Sequence, residues 1–309
     1  MPRALVFPGQ GAQYVGMGAE LAQRFPSARR LLDEADRILG FALSDFMANG
    51  PEADLTRTDI SQPAILVASA MSLAVAQEAV KPLTCAAVAG LSLGEYSALY
   101  AAGSLSFADA VKLVRLRGEA MQAAADAVPS GMIALIGADE ASAAALCMEA
   151  AGGEVLTVAN LNSTGQVVIS GARGACVRAI ELAKKHNIRR AMPLPVAGAF
   201  HSPLMAPAAD RLKAALAGVV FKDPQWPIYT NVTAKPVTSA ADVPALLVAQ
   251  LTQPVRWADS VVAMQAAGID EFLELGPGKT LGGMISRTVK DVVCRNLDTP
   301  ADAEALVRG

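Results

Sequence analysis

The stretch Val88-Ala89-Gly90-Leu91-Ser92-Leu93-Gly94-Glu95-Tyr96 places one serine between two glycines, directly after a short apolar run. The residues before it, 84–89, are typical of a buried strand, and a helical pattern follows over 94–102. A serine in G-x-S-x-G at such a turn matches a nucleophile elbow, in which small neighbours let the backbone pass closely and the hydroxyl project outward. The pattern predicts Ser92 as a nucleophile and the Leu93 N–H as an oxyanion donor; a plain glycine-serine turn is the alternative.

A serine hydroxyl needs a base to become a strong nucleophile, and the chain has only two histidines. His201 precedes Ser202-Pro203, which is typical of an N-cap followed by proline at the first helical position. The positive end of that helix would favour a neutral imidazole, so His201 is the predicted base, with a purely structural histidine as the alternative. His186 follows two lysines and is expected to be a solvated residue at the end of a basic helix.

Arg117 interrupts the apolar face of the helix predicted over 106–126. At about 100° per residue the apolar residues cluster on one side, and Arg117 falls in the middle of that side, whereas Arg115 is expected to face solvent. A guanidinium that points inward needs an anion, because an unpaired buried charge is very costly. Two partners remain open: a carboxylate of this chain, or the carboxylate of a substrate held in a bidentate clamp.

Short apolar strands alternate with helical patterns, such as the one over 17–39, and this predicts an α/β fold with a parallel sheet. Pro129-Ser130-Gly131 breaks the alternation. The elements predicted after it follow the order β-α-β-β-α-β, which is the order of a ferredoxin-like fold. We therefore expect a small inserted subdomain at 128–196, within a larger catalytic subdomain formed by 1–127 and 197–309.

The composition excludes several classes of protein. The 309 residues are 53% hydrophobic and 18% charged, which suits a folded core, and a net charge of −3 argues against nucleic acid as a partner. The four cysteines form no C-x-x-C pair and no H-E-x-x-H motif is present, so we expect reduced thiols, no metal site and a cytoplasmic protein. The N-terminal apolar run is too short for a signal peptide. The run over 64–76 is too short to span a bilayer, so it is predicted to be a buried helix and no membrane contact is expected.

Seven motifs, in order along nearly the whole chain, resemble the malonyl-CoA:acyl-carrier-protein transacylase family, whose pattern the acyltransferase domains of polyketide synthases share. The motifs are FPGQGAQ (7–13), GLSLGEY (90–96), VRLRGEAM (114–121), NSTGQVVISG (162–171), AFHSPLM (199–205), AQLTQPVRW (249–257) and ELGPGKTL (274–281). The resemblance implies an α/β-hydrolase-like core with a ferredoxin-like insert, which agrees with the pattern of elements.

The resemblance also implies the chemistry of the site. It implies Ser92 as the acyl-accepting nucleophile, His201 as its base, and Arg117 as the residue that binds the malonyl carboxylate. In this family a main-chain carbonyl, at the position that matches Gln250, orients the histidine in place of an acid.

Further roles follow from the same resemblance. The backbone N–H groups of Gln10 and Leu93 would form the oxyanion hole, and Asn162 would help to shape the pocket. The implied reaction is ping-pong transfer of malonyl from malonyl-CoA to the phosphopantetheine thiol of acyl carrier protein in fatty acid biosynthesis. It needs no metal or redox cofactor, and the enzyme is expected to be a monomer.

Three alternatives remain at this point. A discrete acyltransferase that loads polyketide carrier proteins would share every motif. A serine esterase or thioesterase would share Ser92 and His201 but would have no need for Arg117. A non-catalytic subunit that binds carrier protein would need none of the three.

Overall fold

The computed structural model describes residues 2–308, which contain ten strands and fourteen α-helices. The strands are β1 (Arg3–Phe7), β2 (Ala87–Gly90), β3 (Ser130–Ile136), β4 (Leu156–Ser163), β5 (Gln166–Ala172), β6 (Arg190–Pro193), β7 (Ile228–Tyr229), β8 (Pro236–Val237), β9 (Glu271–Leu275) and β10 (Val293–Leu297). The α-helices are α1 (Ala19–Arg24), α2 (Pro26–Leu39), α3 (Leu43–Asn49), α4 (Glu52–Thr56), α5 (Thr58–Ala79), α6 (Gly94–Ala101), α7 (Phe107–Ala127), α8 (Glu140–Ala150), α9 (Arg173–Leu182), α10 (Ala206–Leu216), α11 (Val243–Gln250), α12 (Trp257–Ala266), α13 (Thr280–Thr288) and α14 (Pro300–Arg308).

The larger sheet has six strands in the order β10-β9-β1-β2-β7-β8. All neighbouring pairs are parallel except β7 and β8, which pair antiparallel. The central strands β1 and β2 are buried and apolar, as expected for parallel strands covered by helices on both faces. The α/β fold with a mainly parallel sheet that the sequence predicts is confirmed.

A second sheet has four strands in the order β4-β5-β3-β6, and all of its neighbouring pairs are antiparallel. Along the chain its elements run β3-α8-β4-β5-α9-β6. One face packs on α8 and α9 in a separate hydrophobic cluster, whose members all lie between Ile133 and Ile188. Val255 joins this sheet to the rest of the chain, because its backbone exchanges hydrogen bonds with Ala159 and Leu161 of β4.

Helix α5 is the core helix of the larger part. It has 22 residues, and its most apolar 18-residue window is long and apolar enough to cross a membrane, but 94% of that window is buried inside the fold. It begins at Thr58, well before the apolar run at 64–76, because its first turn is also buried. Burial on all sides is typical of a central helix that packs in the core.

The helical pattern predicted over 17–39 forms two helices, α1 and α2, with a break between them. The break is at Phe25, whose backbone is extended with φ −119° and ψ 114°. Proline at the next position, Pro26, disfavours helical geometry for the residue before it and is itself well suited to the first turn of a new helix.

Candidate active site

The turn between β2 and α6 holds Ser92 in a strained conformation. Its φ of 52° lies in the left-handed region, which non-glycine residues rarely occupy. The flanking glycines allow a close backbone crossing: a Cβ on Gly90 would lie 1.9 Å from the Gly94 carbonyl oxygen, and one on Gly94 would lie 2.1 Å from the Phe7 carbonyl oxygen. The two glycines of G-x-S-x-G are therefore required by contact, and they set the serine at the carboxyl end of the parallel strands.

His201 lies against this serine. The Ser92 Oγ is 2.9 Å from Nε2 of His201, and Nδ1 of His201 is 2.7 Å from the backbone oxygen of Gln250. A carbonyl oxygen can only accept, so Nδ1 carries the proton and Nε2 is left as the acceptor for the serine hydroxyl. His201 also has a positive φ, of 56°. The Gln250 carbonyl thus fixes the tautomer that a general base at this position needs.

The imidazole of His201 is held neutral. Burial, and after it the positive charge of Arg117, lowers its pKa from 6.5 to about 4, while the hydrogen bond to Gln250 opposes the shift. From the sequence we expected the positive N-terminus of the following helix to keep the imidazole neutral. In the structure, burial and the charge of Arg117 are the larger causes. A short 3₁₀ turn, Pro203–Met205, separates His201 from α10.

Arg117 is only 1% exposed and points into the same centre. Its guanidinium donates to Gln62 Oε1 at 2.7 Å, to Gln250 Oε1 at 2.9 Å and to Ser92 Oγ at 3.1 Å. Among residues 2–308, no carboxylate lies within 4 Å of it. The sequence left two partners open for Arg117, a carboxylate of this chain or one of a substrate. Within residues 2–308 no carboxylate is in direct contact with the guanidinium. Burial lowers the pKa of Arg117.

Arg115, expected to face solvent, is half-buried instead. It forms ion pairs with Asp59 at 3.1 Å and Glu119 at 2.7 Å, and it stacks over the ring of Phe41. The outward side of α7 is covered because α2 and α5 pack against this helix. The two arginines thus lie two residues apart but have different surroundings, one among carboxylates and one among amides.

Two backbone N–H groups near Ser92 have no protein acceptor within residues 2–308: those of Gln10 and Leu93. Leu93 is buried at the start of α6, and Gln10 is half-buried in the loop after β1. A cavity of about 190 Å³ lies beside Gln10, lined by the 8–12 loop, Leu91 and the start of α13. The two loops approach closely, since a Cβ on Gly9 would lie 2.4 Å from the Leu91 oxygen.

Two other residues singled out in the sequence form no hydrogen bond with Ser92, His201 or Arg117 among the described residues. Asn162 is buried on β4 with an unpartnered Oδ1, and it forms no hydrogen bond with Ser92 or His201. His186 lies beyond α9, where its Nε2 is 2.9 Å from Glu149 Oε2.

Sequence reasoning missed three polar residues of the centre: Gln62, Glu95 and Asn231. Asn231 Oδ1 accepts from the Ser92 N–H at 2.6 Å, and its Nδ2 donates to the Gly90 oxygen at 2.7 Å. Asn231 follows β7, 139 residues from the serine, so no spacing rule could have identified it. Glu95 stood inside the quoted stretch, and the only available signal was an acidic residue within an otherwise apolar run.

Proteins of known family resemble this chain over nearly its whole length. Residues 4–306 match the acyl transferase domain family. The malonyl CoA-acyl carrier protein transacylase of Salmonella typhimurium is 44% identical over 302 residues, which cover 98% of this chain and 97% of that protein.

Solved structures agree as well. The malonyl CoA-acyl carrier protein transacylase of Coxiella burnetii superposes with a TM-score of 0.96 at 37% identity, covering 100% of this chain and 97% of that one. A malonyl-transacylase solved in complex with its type II PKS acyl-carrier protein has a TM-score of 0.94 at 40% identity, covering 100% and 99%. Since the family match and these relatives span almost all of both chains, the chain belongs to the acyl transferase domain family.

Proposed function

We propose that this chain transfers a malonyl group from malonyl-CoA to the phosphopantetheine thiol of acyl carrier protein. One observation carries the proposal: the Ser92 hydroxyl lies within hydrogen-bond distance of both a neutral imidazole and a buried guanidinium that pairs with no carboxylate of residues 2–308. A hydrolase of simple esters would need only the imidazole. The guanidinium fits an acyl group that itself carries a carboxylate.

In the first half-reaction Ser92 Oγ attacks the thioester carbonyl while His201 Nε2 takes its proton. The negative charge that forms on the carbonyl oxygen is stabilised by the N–H groups of Gln10 and Leu93, at about 3 kcal/mol for each donor. The intermediate then expels the CoA thiolate, which receives the proton from His201. The product is a malonyl ester of Ser92 whose free carboxylate pairs with Arg117.

The second half-reaction reverses these steps with a different thiol. The phosphopantetheine thiol gives its proton to His201 Nε2 and attacks the ester carbonyl at the same oxyanion site. Ser92 leaves with the proton returned by His201, and malonyl is now a thioester on the carrier protein. No metal or redox step enters, because every bond made or broken is an acyl bond or a bond to hydrogen.

We further infer that the chain divides as the sequence predicts, into an α/β-hydrolase-like subdomain (1–127 and 197–309) and a ferredoxin-like insert (128–196). The strand order of the four-stranded sheet and its separate hydrophobic cluster support the insert. The nucleophile turn after a central parallel strand supports the hydrolase-like core. On this division Asn162 comes from the insert and would line the cleft between the two parts.

The names of the relatives support carrier protein as the acceptor. The Salmonella typhimurium relative is named for malonyl-CoA and acyl carrier protein, and a solved neighbour contains a polyketide carrier protein. We assign the chain to fatty acid biosynthesis on the first of these. The cytoplasmic location and the monomeric state stay predictions of the sequence.

A two-tube experiment tests the function. The protein is incubated with malonyl-CoA, with and without carrier protein, and both proteins are weighed by intact mass spectrometry. We expect a malonyl adduct on the enzyme alone, and its transfer to the carrier when that is present. Free malonate as the main product in both tubes would indicate a hydrolase, and the Ser92→Ala variant serves as the control without adduct.

A further inference from the structure

A buried carboxylate, that of Glu95, is separated from Arg117 by a single side chain. Glu95 is 2% exposed and sits in the first turn of α6, where the helix N-terminus favours a negative charge. Its Oε2 accepts from the Gln250 side-chain Nε2 at 2.7 Å, and Gln250 Oε1 in turn accepts from Arg117 at 2.9 Å. One amide therefore links the carboxylate to the guanidinium.

The carboxylate is also tied to the nucleophile turn. The same Oε2 accepts from the Asn231 backbone N–H at 3.1 Å, and Asn231 Oδ1 accepts from the Ser92 N–H. Gln250 Nε2 donates to the Ser92 carbonyl oxygen at 3.0 Å as well. Glu95 thus shares its two partners with the serine, and neither partner carries a charge.

This arrangement has an electrostatic consequence. A buried cation without any anion nearby is very costly, while a cation in direct contact with an internal carboxylate is already neutralised and attracts a second carboxylate much less. An anion held one amide away reduces the first cost and leaves the guanidinium with neutral partners only, which a ligand carboxylate can displace. It also competes, at longer range, with any carboxylate that binds to Arg117.

We propose that Glu95 is the counter-charge of Arg117, held one amide away by Gln250, and that it sets how strongly the site prefers an acyl group with a carboxylate over a neutral one. The inference rests on the proposed function. Glu95 touches neither substrate nor the reacting atoms, so it is a positioning and specificity-determining residue. Neutralising it leaves the Arg117 charge uncompensated, and the preference for malonyl over acetyl rises.

The charge of Glu95 is also adjustable near neutral pH. Burial raises the pKa of its carboxyl to about 7, against the opposing hydrogen bonds of Asn231 and Gln250 and the charge of Arg117. The other titratable groups of the centre stay fixed in this range: Tyr96 is neutral because burial raises its pKa, and His201 is neutral above its pKa of about 4. Protonation of Glu95 as the pH falls through 7 therefore has the same sign as neutralising it by mutation.

The test compares Glu95→Gln with wild-type protein in competition between malonyl-CoA and acetyl-CoA, read as the ratio of the two adducts on Ser92. A glutamine oxygen can accept both hydrogen bonds that Oε2 accepts, so this variant mainly removes charge. Glu274→Gln is the matched control, because Glu274 is equally buried but accepts from the Leu281 and Gly282 N–H groups at the start of α13. We expect the malonyl-to-acetyl ratio to rise about tenfold in Glu95→Gln and to stay at the wild-type value in Glu274→Gln.

The pH series separates a charge effect from structural damage. In wild-type protein the malonyl-to-acetyl ratio should rise about tenfold as the pH falls from 8 to 6. In Glu95→Gln the ratio should not change over this range. An unchanged or lowered ratio in Glu95→Gln overturns the inference, since damage to the turn would slow both substrates. If this variant does not fold, the wild-type series decides: a rising ratio supports the inference and a flat one overturns it. A wild-type protein that takes up neither acyl group refutes the proposed function, and the inference with it.

Discussion

Replacing Arg117 by alanine tests the central assignment. The guanidinium makes three hydrogen bonds to neutral oxygens and none to a carboxylate within residues 2–308, so a substrate carboxylate can take over its donors. Hydrogen bonds to charged groups contribute about 1.5–3 kcal/mol each, and a bidentate pair makes two of them. Arg117→Ala should therefore lower kcat/KM for malonyl-CoA by about 10² to 10⁴.

The same change should help a neutral substrate. Acetyl-CoA leaves the buried guanidinium without an anion, and alanine removes that cost. We expect kcat/KM for acetyl-CoA to rise in Arg117→Ala, so that the malonyl-to-acetyl preference collapses or reverses. Rates are measured as loading of carrier protein from each thioester, with the two products separated by mass.

Arg115→Ala is the matched control, because it removes an arginine from the same helix. Arg115 pairs with Asp59 and Glu119 and forms no contact with Ser92 or His201. Its loss should lower the free energy of unfolding but keep the malonyl-to-acetyl ratio. A ratio that is the same in Arg117→Ala and wild type would refute the carboxylate clamp, whatever happens to the absolute rates.

Further predictions concern the base and the turn. His201→Gln should slow formation of the malonyl adduct by about 10² to 10⁴, as seen in rapid-quench mass spectrometry; a smaller loss would argue against a general base. In wild-type protein saturated with malonyl-CoA, the rate of adduct formation should fall as the pH is lowered through the His201 pKa of about 4, because the imidazolium cannot accept the serine proton. The unfolded chain binds a proton at His201 near pH 6.5 while the folded one does not. The free energy of unfolding should therefore decrease by about 3 kcal/mol as the pH falls from 6.5 to 4, relative to His201→Gln, in urea titrations at each pH; parallel curves would contradict this. Gly90→Ala should lower the free energy of unfolding by about 3 kcal/mol or more and abolish the adduct, because its Cβ would lie 1.9 Å from the Gly94 oxygen; a stable, active variant would show that the turn can relax.

The parts of the site that depend on local geometry could be predicted from the sequence. The two glycines around Ser92 indicate that the backbone crosses itself closely within five residues. At such a crossing only glycine fits at these two positions. Arg117 was visible because a helix has a fixed angular period, which places one residue on one side. Both inferences need only neighbours along the chain.

The rest of the site depends on packing between distant segments. Asn231 reaches the Ser92 N–H across the sheet, and nothing in its own surroundings indicates that. The helical period gives the direction of the Arg115 side chain just as it does for Arg117. It does not show which other segments pack on that side of the helix, so the expected exposure of Arg115 was wrong. The cause of the neutral imidazole was misjudged for the same reason, because the burial of His201 is a property of the assembled fold.

The backbone at position 92 restricts which nucleophile the chain can use. A φ of 52° is tolerated by an unbranched side chain but is a severe outlier for a β-branched one. Threonine has an equivalent alcohol, yet its extra methyl group would meet the backbone in this conformation. Steric fit, rather than reactivity, therefore imposes a primary alcohol at this turn. Among the other nucleophilic side chains of similar size, only the thiol of cysteine would fit without a shift of the main chain.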